Sequence, residues 1–214
     1  MSLDAKSIRE CIDANKAITF RKYGPSSEFD EELILVCNEL CDYFHLEDFG
    51  SLFYTMVKDL VLNGFKANFK RVFFLENHLD IDSPADYELG VRMYKSFILA
   101  GKSKTYTDIA AGKNFWVNTE FSFDQDEIRV IVANNQSLTP AEMSKIKHSL
   151  VHAQNYNDIM EYYIERGDHS EGEGIGIALI VILMKGNGIP TTNFKIQSIK
   201  GETIASVKIP IKKN

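Results

Sequence analysis

Apolar residues recur at helical spacing through residues 50–70. Phe53, Met56, Val57, Leu60, Val61 and Phe65 share one face when each residue turns the chain by about 100°. Leu33, Ile34, Val36, Cys37, Leu40, Cys41 and Phe44 predict another amphipathic helix over residues 29–45. The run Arg71, Val72, Phe73, Phe74, Leu75 reads as a short buried strand. Ser83 as cap, Pro84 in the first turn and Asp86 after it start a further helix. Its buried stripe is Tyr87, Val91, Tyr94 and Ile98, Gly101 ends it, and residues 102–113, with several lysines, read as a solvated loop. Residues 115–121 alternate in the manner of a strand, and 128–132 return as its partner across the acidic turn 124–127.

The second half continues with a capping box. Thr139, Pro140 and Glu142 start a polar helix that reaches about His152, and residues 157–166 predict a short one. An apolar run at 177–184 predicts a helix that stops at Gly186, Asn187, Gly188 and Pro190. Residues 194–198 and 204–209 then form a hairpin across Gly201, Glu202 and Thr203. Residues 1–27 read as an N-terminal extension: a helical pattern (Ile8, Cys11, Ile12), the apolar stretch 17–20, and a break at residues 24–27. Either part of it packs on the main domain or on a partner. There is no internal repeat.

Composition narrows the class. The chain has 214 residues, 44% hydrophobic and 25% charged, which suits a globular domain with a sizeable core. A net charge of −6 disfavours a nucleic-acid-binding surface. The three cysteines are few and odd in number, which fits a reducing compartment, and Cys37 and Cys41 fall at i, i+4 in a core pattern. No signal peptide opens the chain and no apolar run reaches about 18 residues, so a cytoplasmic protein without a membrane span is expected.

Candidate chemistry lies in two places. Asp59, Asn63 and Lys66 stand at i, i+4 and i+7, on one polar stripe of the 50–70 helix. An amide oxygen is a hard ligand for magnesium and an ammonium neutralises phosphate, so the trio suits a magnesium-bound phosphate; a solvated helix face uses the same residue types. More than a hundred residues later, Gly172, Gly174 and Gly176 precede the apolar run. Glycines allow close backbone approach, and free amides at a helix start attract anions, although a flexible turn would look alike. Two histidine features are bland by comparison. His148 and His152 share a helix face, but the residues between them lack the acid of a zinc-protease helix. His45, at the end of its helix, faces the helix dipole.

Taken in order, the chain presents a helix with Asp59, Asn63 and Lys66, a strand hairpin ending at Asn134 and Asn135, and a polar cover. The helix opened by Gly172, Gly174 and Gly176 follows, and then a hairpin with Gly201 and Thr203. That order resembles the GHKL ATPases, most closely the ATP-binding domain of histidine kinases, over about residues 45–210. The resemblance implies an α+β fold: a two-layer α/β sandwich of the Bergerat type, with a mixed, mostly antiparallel sheet covered by helices on one face. It implies a histidine-kinase-like ATPase domain at 28–214, with a helical insertion at about 76–113 and an ATP lid at about 136–171. By the same resemblance Asn63 holds Mg²⁺, and Asp59 polarises water or the phosphoacceptor. Lys66 faces phosphate, Gly172, Gly174 and Gly176 line the triphosphate, and Thr203 borders the adenine pocket.

The chain departs from the family at the adenine box. Where an Asp-x-Gly is usual, Asn134, Asn135 and Gln136 stand here. An amide oxygen still accepts a hydrogen bond from the adenine amino group, but the amide can also present its NH₂, and Gln136 replaces a glycine. Residues 76–120 insert a helix where the kinases run strand to strand. No segment resembles the dimerisation helices with their phosphoacceptor histidine, so the acceptor is expected on another chain. The leading expectation is an ATP–Mg²⁺-binding domain supporting phosphotransfer in two-component signalling. The alternatives are a non-catalytic regulator of the same fold, binding nucleotide or only a protein partner, and a protein serine kinase of the anti-sigma type.

Overall fold

Period-two burial organises one half of the molecule and a long helix the other. A computed structural model describes residues 3–46, 48–99, 103–166 and 175–211. In chain order the elements are α1 (Ala5–Asp13), β1 (Ile18–Lys22), α2 (Ser27–Tyr43), α3 (Gly50–Glu76), α4 (Pro84–Leu99) and α5 (Ser103–Gly112). Then come β2 (Val117–Phe123), β3 (Glu127–Asn134), α6 (Pro140–Ala153), α7 (Ile159–Arg166), α8 (Ile175–Gly186), β4 (Phe194–Ile199) and β5 (Glu202–Pro210).

The fold is α+β. Its five-stranded sheet has the order β1-β2-β3-β5-β4, and every neighbouring pair is antiparallel rather than mixed. Side chains in register form rows across the face turned to the helices. Ile18, Phe121, Val130, Val207 and Phe194 make one row, and Phe20, Thr119, Val132, Ala205 and Ile196 the next. The row at the sheet's end is Lys22, Val117, Asn134, Thr203 and Ser198, so the buried face is apolar in the middle and polar at one edge. The β2–β3 turn is held by Asp124, whose Oδ1 accepts from the amides of Asp126 and Glu127. The β4–β5 turn is the pair Lys200 and Gly201, both at positive φ, as a two-residue hairpin requires. Thr203 therefore sits within β5, not in the turn.

The helix α3 has 27 residues and does not stop at residue 70. Residues 71–75 continue it, which overturns the expected strand. Phe73 meets Tyr94 and Phe74 meets Tyr87, both on α4, so this part of α3 is apolar on two flanks. A helix covered on both sides yields the same short apolar run as a buried strand. The expected loop 102–113 is corrected too: most of it is α5, with Tyr106 and Ala110 buried one turn apart and Tyr106 against Phe69. Residues 3–27 pack on the main body. Strand β1 pairs with β2, Phe20 packs on Phe29 and Phe121, and α1 is tied to α2 by Arg9–Glu39 and Tyr43–Asp13.

His45 lies just beyond α2 at φ 54°, a left-handed closure in which the Leu46 amide donates to Cys41 O. Cys37 and Cys41 are buried free thiols whose burial pushes their pKa values up, Cys41 to about 12. Among the described residues no helix is long and apolar enough to cross a membrane.

Gly64 fixes how closely α3 lies on the sheet. A β-carbon there would stand 3.2 Å from both γ-carbons of Val117, tighter than ordinary contact. We expect Gly64→Val to cost about 1–3 kcal/mol by overpacking, read from urea denaturation at pH 7. Gly112→Ala, with open space around it, is expected to be neutral or to gain up to about 1 kcal/mol in the same assay.

Candidate functional site

Asp59 and Asn63 are half-buried on α3, and Lys66 on the same stripe is exposed. The first turn of α8 comes down on the first two. A β-carbon at Gly176 would lie 3.2 Å from Asn63 Nδ2, 3.6 Å from Asn63 Oδ1 and 3.8 Å from Asp59 Cγ. Any larger residue would displace the amide or the helix. The opening amides of an α-helix have no partner within it, and its N-terminus carries partial positive charge, so α8 brings an anion-favouring end to Asp59 and Asn63. Burial pushes the Asp59 carboxyl up, against the pull of Lys66 and Lys58. Gly172 and Gly174 lie outside the described residues.

A second group gathers at the polar edge of the sheet. Asn134 and Thr203 are directly opposed on β3 and β5, and Thr203 Oγ1 donates to Gln136 O at 2.7 Å. Gln136 folds back, its Nε2 donating to Asn135 O at 2.6 Å. Asn134 is buried and its Nδ2 donates to Asn68 Oδ1 on α3 at 3.0 Å. Asn68 Nδ2 in turn donates to Trp116 O at 3.1 Å. Asn63 and Asn68 are five residues apart, about 7.5 Å along the helix. The two groups therefore meet one short stretch of α3, Asp59, Asn63 and Gly176 on one side and Asn134 with Thr203 on the other. Lys66 anchors a third neighbour, its carbonyl accepting from Tyr94 of α4 at 3.1 Å.

Asn68 escaped the reading of the sequence, although its signal was present: a carboxamide four residues after Gly64, on the buried side of the helix. A second omission is an ion cluster just beyond. Arg71 grips Glu142 with both nitrogens, Nη1 to Oε1 at 2.6 Å and Nη2 to Oε2 at 2.5 Å, and also donates to Ser137 O at 2.6 Å. Lys70 reaches Glu142 Oε1 at 2.5 Å, and the Thr139 amide donates to Oε2 at 2.9 Å, completing the capping box. Despite burial, these donors hold the Glu142 carboxyl down at about 2. The start of α6 is thus clipped to α3. Its far end is held by Lys185 of α8, which donates to Gln154 O and Tyr156 O, both at 2.6 Å.

A cleft of about 360 Å³ opens on another flank of α3, lined by Pro25, Ser26, Phe29, Asp30, Lys58 and Leu62 among others. The Lys58–Asp30 ion pair (2.9 Å) sits at it, with Tyr54 Oη donating to Asp30 Oδ1, and Asn63 is not among its lining residues. His148 and His152 stack at 5.8 Å, and among the described residues no three His, Cys, Asp or Glu gather as metal ligands. Asn63 beside Asp59 is a sparse, hard oxygen set. It suits Mg²⁺, which keeps waters and takes phosphate oxygens, and not a metal caged by side chains alone.

No family model matches the chain, and no solved structure matches it. An uncharacterized protein of Treponema pallidum (strain Nichols) is 26% identical over 211 residues, which make up 97% of this chain and 40% of that protein. The chain thus spans less than half the length of the relative it matches.

The Glu142 cluster sets a pH dependence. Its folded value is about 2 against an ordinary 4.5, so its contribution is complete above pH 4.5 and is lost as pH falls toward 2. We expect a loss of about 3 kcal/mol across that window, flattened in Glu142→Gln, in denaturation series from pH 2 to 6. Arg71→Leu, leaving the carboxylate with fewer donors, is expected to cost about 3–5 kcal/mol at pH 7.

Proposed function

We propose that the chain is an ATP–Mg²⁺-binding domain of the histidine-kinase-like ATPase kind, serving phosphotransfer to an acceptor on another chain in two-component signalling. The approach of Gly176 to Asn63 and Asp59 carries this reading, because it joins the two places that the chemistry of a magnesium triphosphate needs. The sheet order, the polar row at Asn134 and Thr203, and the helix layer on one face are compatible with a sandwich of the Bergerat type.

Phosphoryl transfer asks mainly for positioning and charge neutralisation. Bound Mg²⁺ would supply neutralisation at the phosphate oxygens, with Asn63 Oδ1 as its protein ligand. The α8 N-terminus and Lys66 bring positive potential to the same phosphates. Asp59, half-buried with its carboxyl pushed up, would accept a hydrogen bond from an acceptor hydroxyl, imidazole or water. Asn134 and Thr203 border the base.

A second reading keeps nucleotide binding and drops turnover, making the chain a regulator for a protein partner. The neutral Asn134 amide, bonded to Asn68 in place of a free carboxylate, favours it.

Calorimetry and thermal melting with ATP and Mg²⁺ test the first point. We expect saturable binding, with stability raised by about 2.7 kcal/mol at a hundredfold excess over Kd. Asn63→Ala should weaken the magnesium-dependent part at least tenfold, about 1.4 kcal/mol, while preserving the fold. Absence of heat and of any melting shift would sink the nucleotide reading. Labelled ATP turned over by the wild type and not by Asn63→Ala would exclude the regulator.

A further inference from the structure

The carboxamide of Asn134 can point either way by chemistry, and its neighbours decide which. Trp116 O is a backbone carbonyl and only accepts, so the atom of Asn68 that faces it at 3.1 Å must be the NH₂. Asn68 Oδ1 then faces the other way and accepts, so the Asn134 atom at 3.0 Å from it must be NH₂ as well. With its nitrogen turned to Asn68, the acceptor that Asn134 presents away from α3 is its oxygen. The peptide at Trp116 is itself fixed. Its amide donates to Asn135 Oδ1 at 2.9 Å, and Asn135 Nδ2 donates to Asn114 O at 2.8 Å. Asn68 is fully buried and Asn134 is 4% exposed, so turning either amide would leave like atoms facing each other away from water.

We propose that Asn68 is the positioning residue that turns the Asn134 nitrogen toward α3 and its oxygen away, and that the site thereby selects a base presenting an amino group over one presenting a carbonyl to that oxygen. This rests on the nucleotide reading above. The same relay accounts for an asparagine at this place. A carboxylate at position 134 would set an anionic oxygen against Asn68 Oδ1, and Asn68 could turn to receive it only by aiming its own oxygen at Trp116 O. The relay and a neutral amide therefore belong together.

The test uses the full chain with ATP and with inosine triphosphate, which carries a carbonyl where ATP carries the amino group, each with Mg²⁺, in calorimetry. The wild type is expected to favour ATP by at least about tenfold, and Asn68→Leu to lose most of that preference while Asn63 still governs the magnesium-dependent part. A second measurement needs no ligand and holds even where Asn68→Leu does not fold. Asn134→Asp should melt lower than the wild type at pH 7, with the gap narrowing toward pH 4 as the new carboxyl protonates. In wild-type nitrogen-15 spectra the side-chain amides of Asn68 and Asn134 should be slow to exchange. Unchanged ATP preference in a folded Asn68→Leu, or Asn134→Asp tolerated equally at both pH values, overturns the positioning role alone. A wild type that binds neither triphosphate overturns the nucleotide reading and the base selection with it, and leaves the amide orientation to the ligand-free measurements.

Discussion

Two missing side chains set how closely α3 meets its neighbours. At Gly64 the helix lies against Val117 at a distance that a β-carbon would make tight, and at Gly176 helix α8 starts against the amide of Asn63. Were either residue larger, the Val117 or Asn63 side chain, or the helix itself, would have to give way. The spacing between Asn63, the α8 N-terminus and the Asn134–Thr203 edge would then change. Cores are close-packed and do not absorb such volume without displacement. The geometry of the candidate site is thus a packing result before it is an electrostatic one.

Around that approach the protein satisfies buried polar groups in two ways. At the sheet edge it uses neutral amides in series, each amide nitrogen facing an acceptor, so no charge is taken out of water. At the base of α6 it buries a carboxylate, and it offsets the large desolvation cost with a bidentate arginine, a lysine and a backbone amide. The first arrangement gives direction to one amide. The second gives rigidity, tying α6 to α3 at one end while Lys185 ties it to α8 at the other. Displacing α6 from the core would break both sets of bonds, so the polar helix after β3 is an anchored element of the fold.

Local patterning made much of the chain legible. The helix at α2, the hairpin of β2 and β3, the capping box of α6 and the closing β4–β5 hairpin all follow from spacing and turn chemistry, which act between near neighbours. Errors fell where tertiary contacts change what a pattern means. Residues 71–75 looked like a strand because α4 buries a second flank of α3, and α5 looked like a loop because only Tyr106 and Ala110 mark its buried side. Strand β1 lacked a clear assignment, since five residues at a sheet edge gain their structure from β2.

For the candidate site, the sequence by itself determined the residue types and their order: a carboxylate, an amide and an ammonium on one helical stripe, and glycine before an apolar helix. It also carried the Thr139–Glu142 capping box. Only the tertiary structure decided that Gly176 meets Asn63, that Arg71 finds Glu142 across 71 positions, and that Asn68 turns the Asn134 amide. The reason is range. Helical stripes and caps are set by backbone geometry over a few residues, whereas the partner of a buried polar atom depends on how whole elements pack, which no local pattern records.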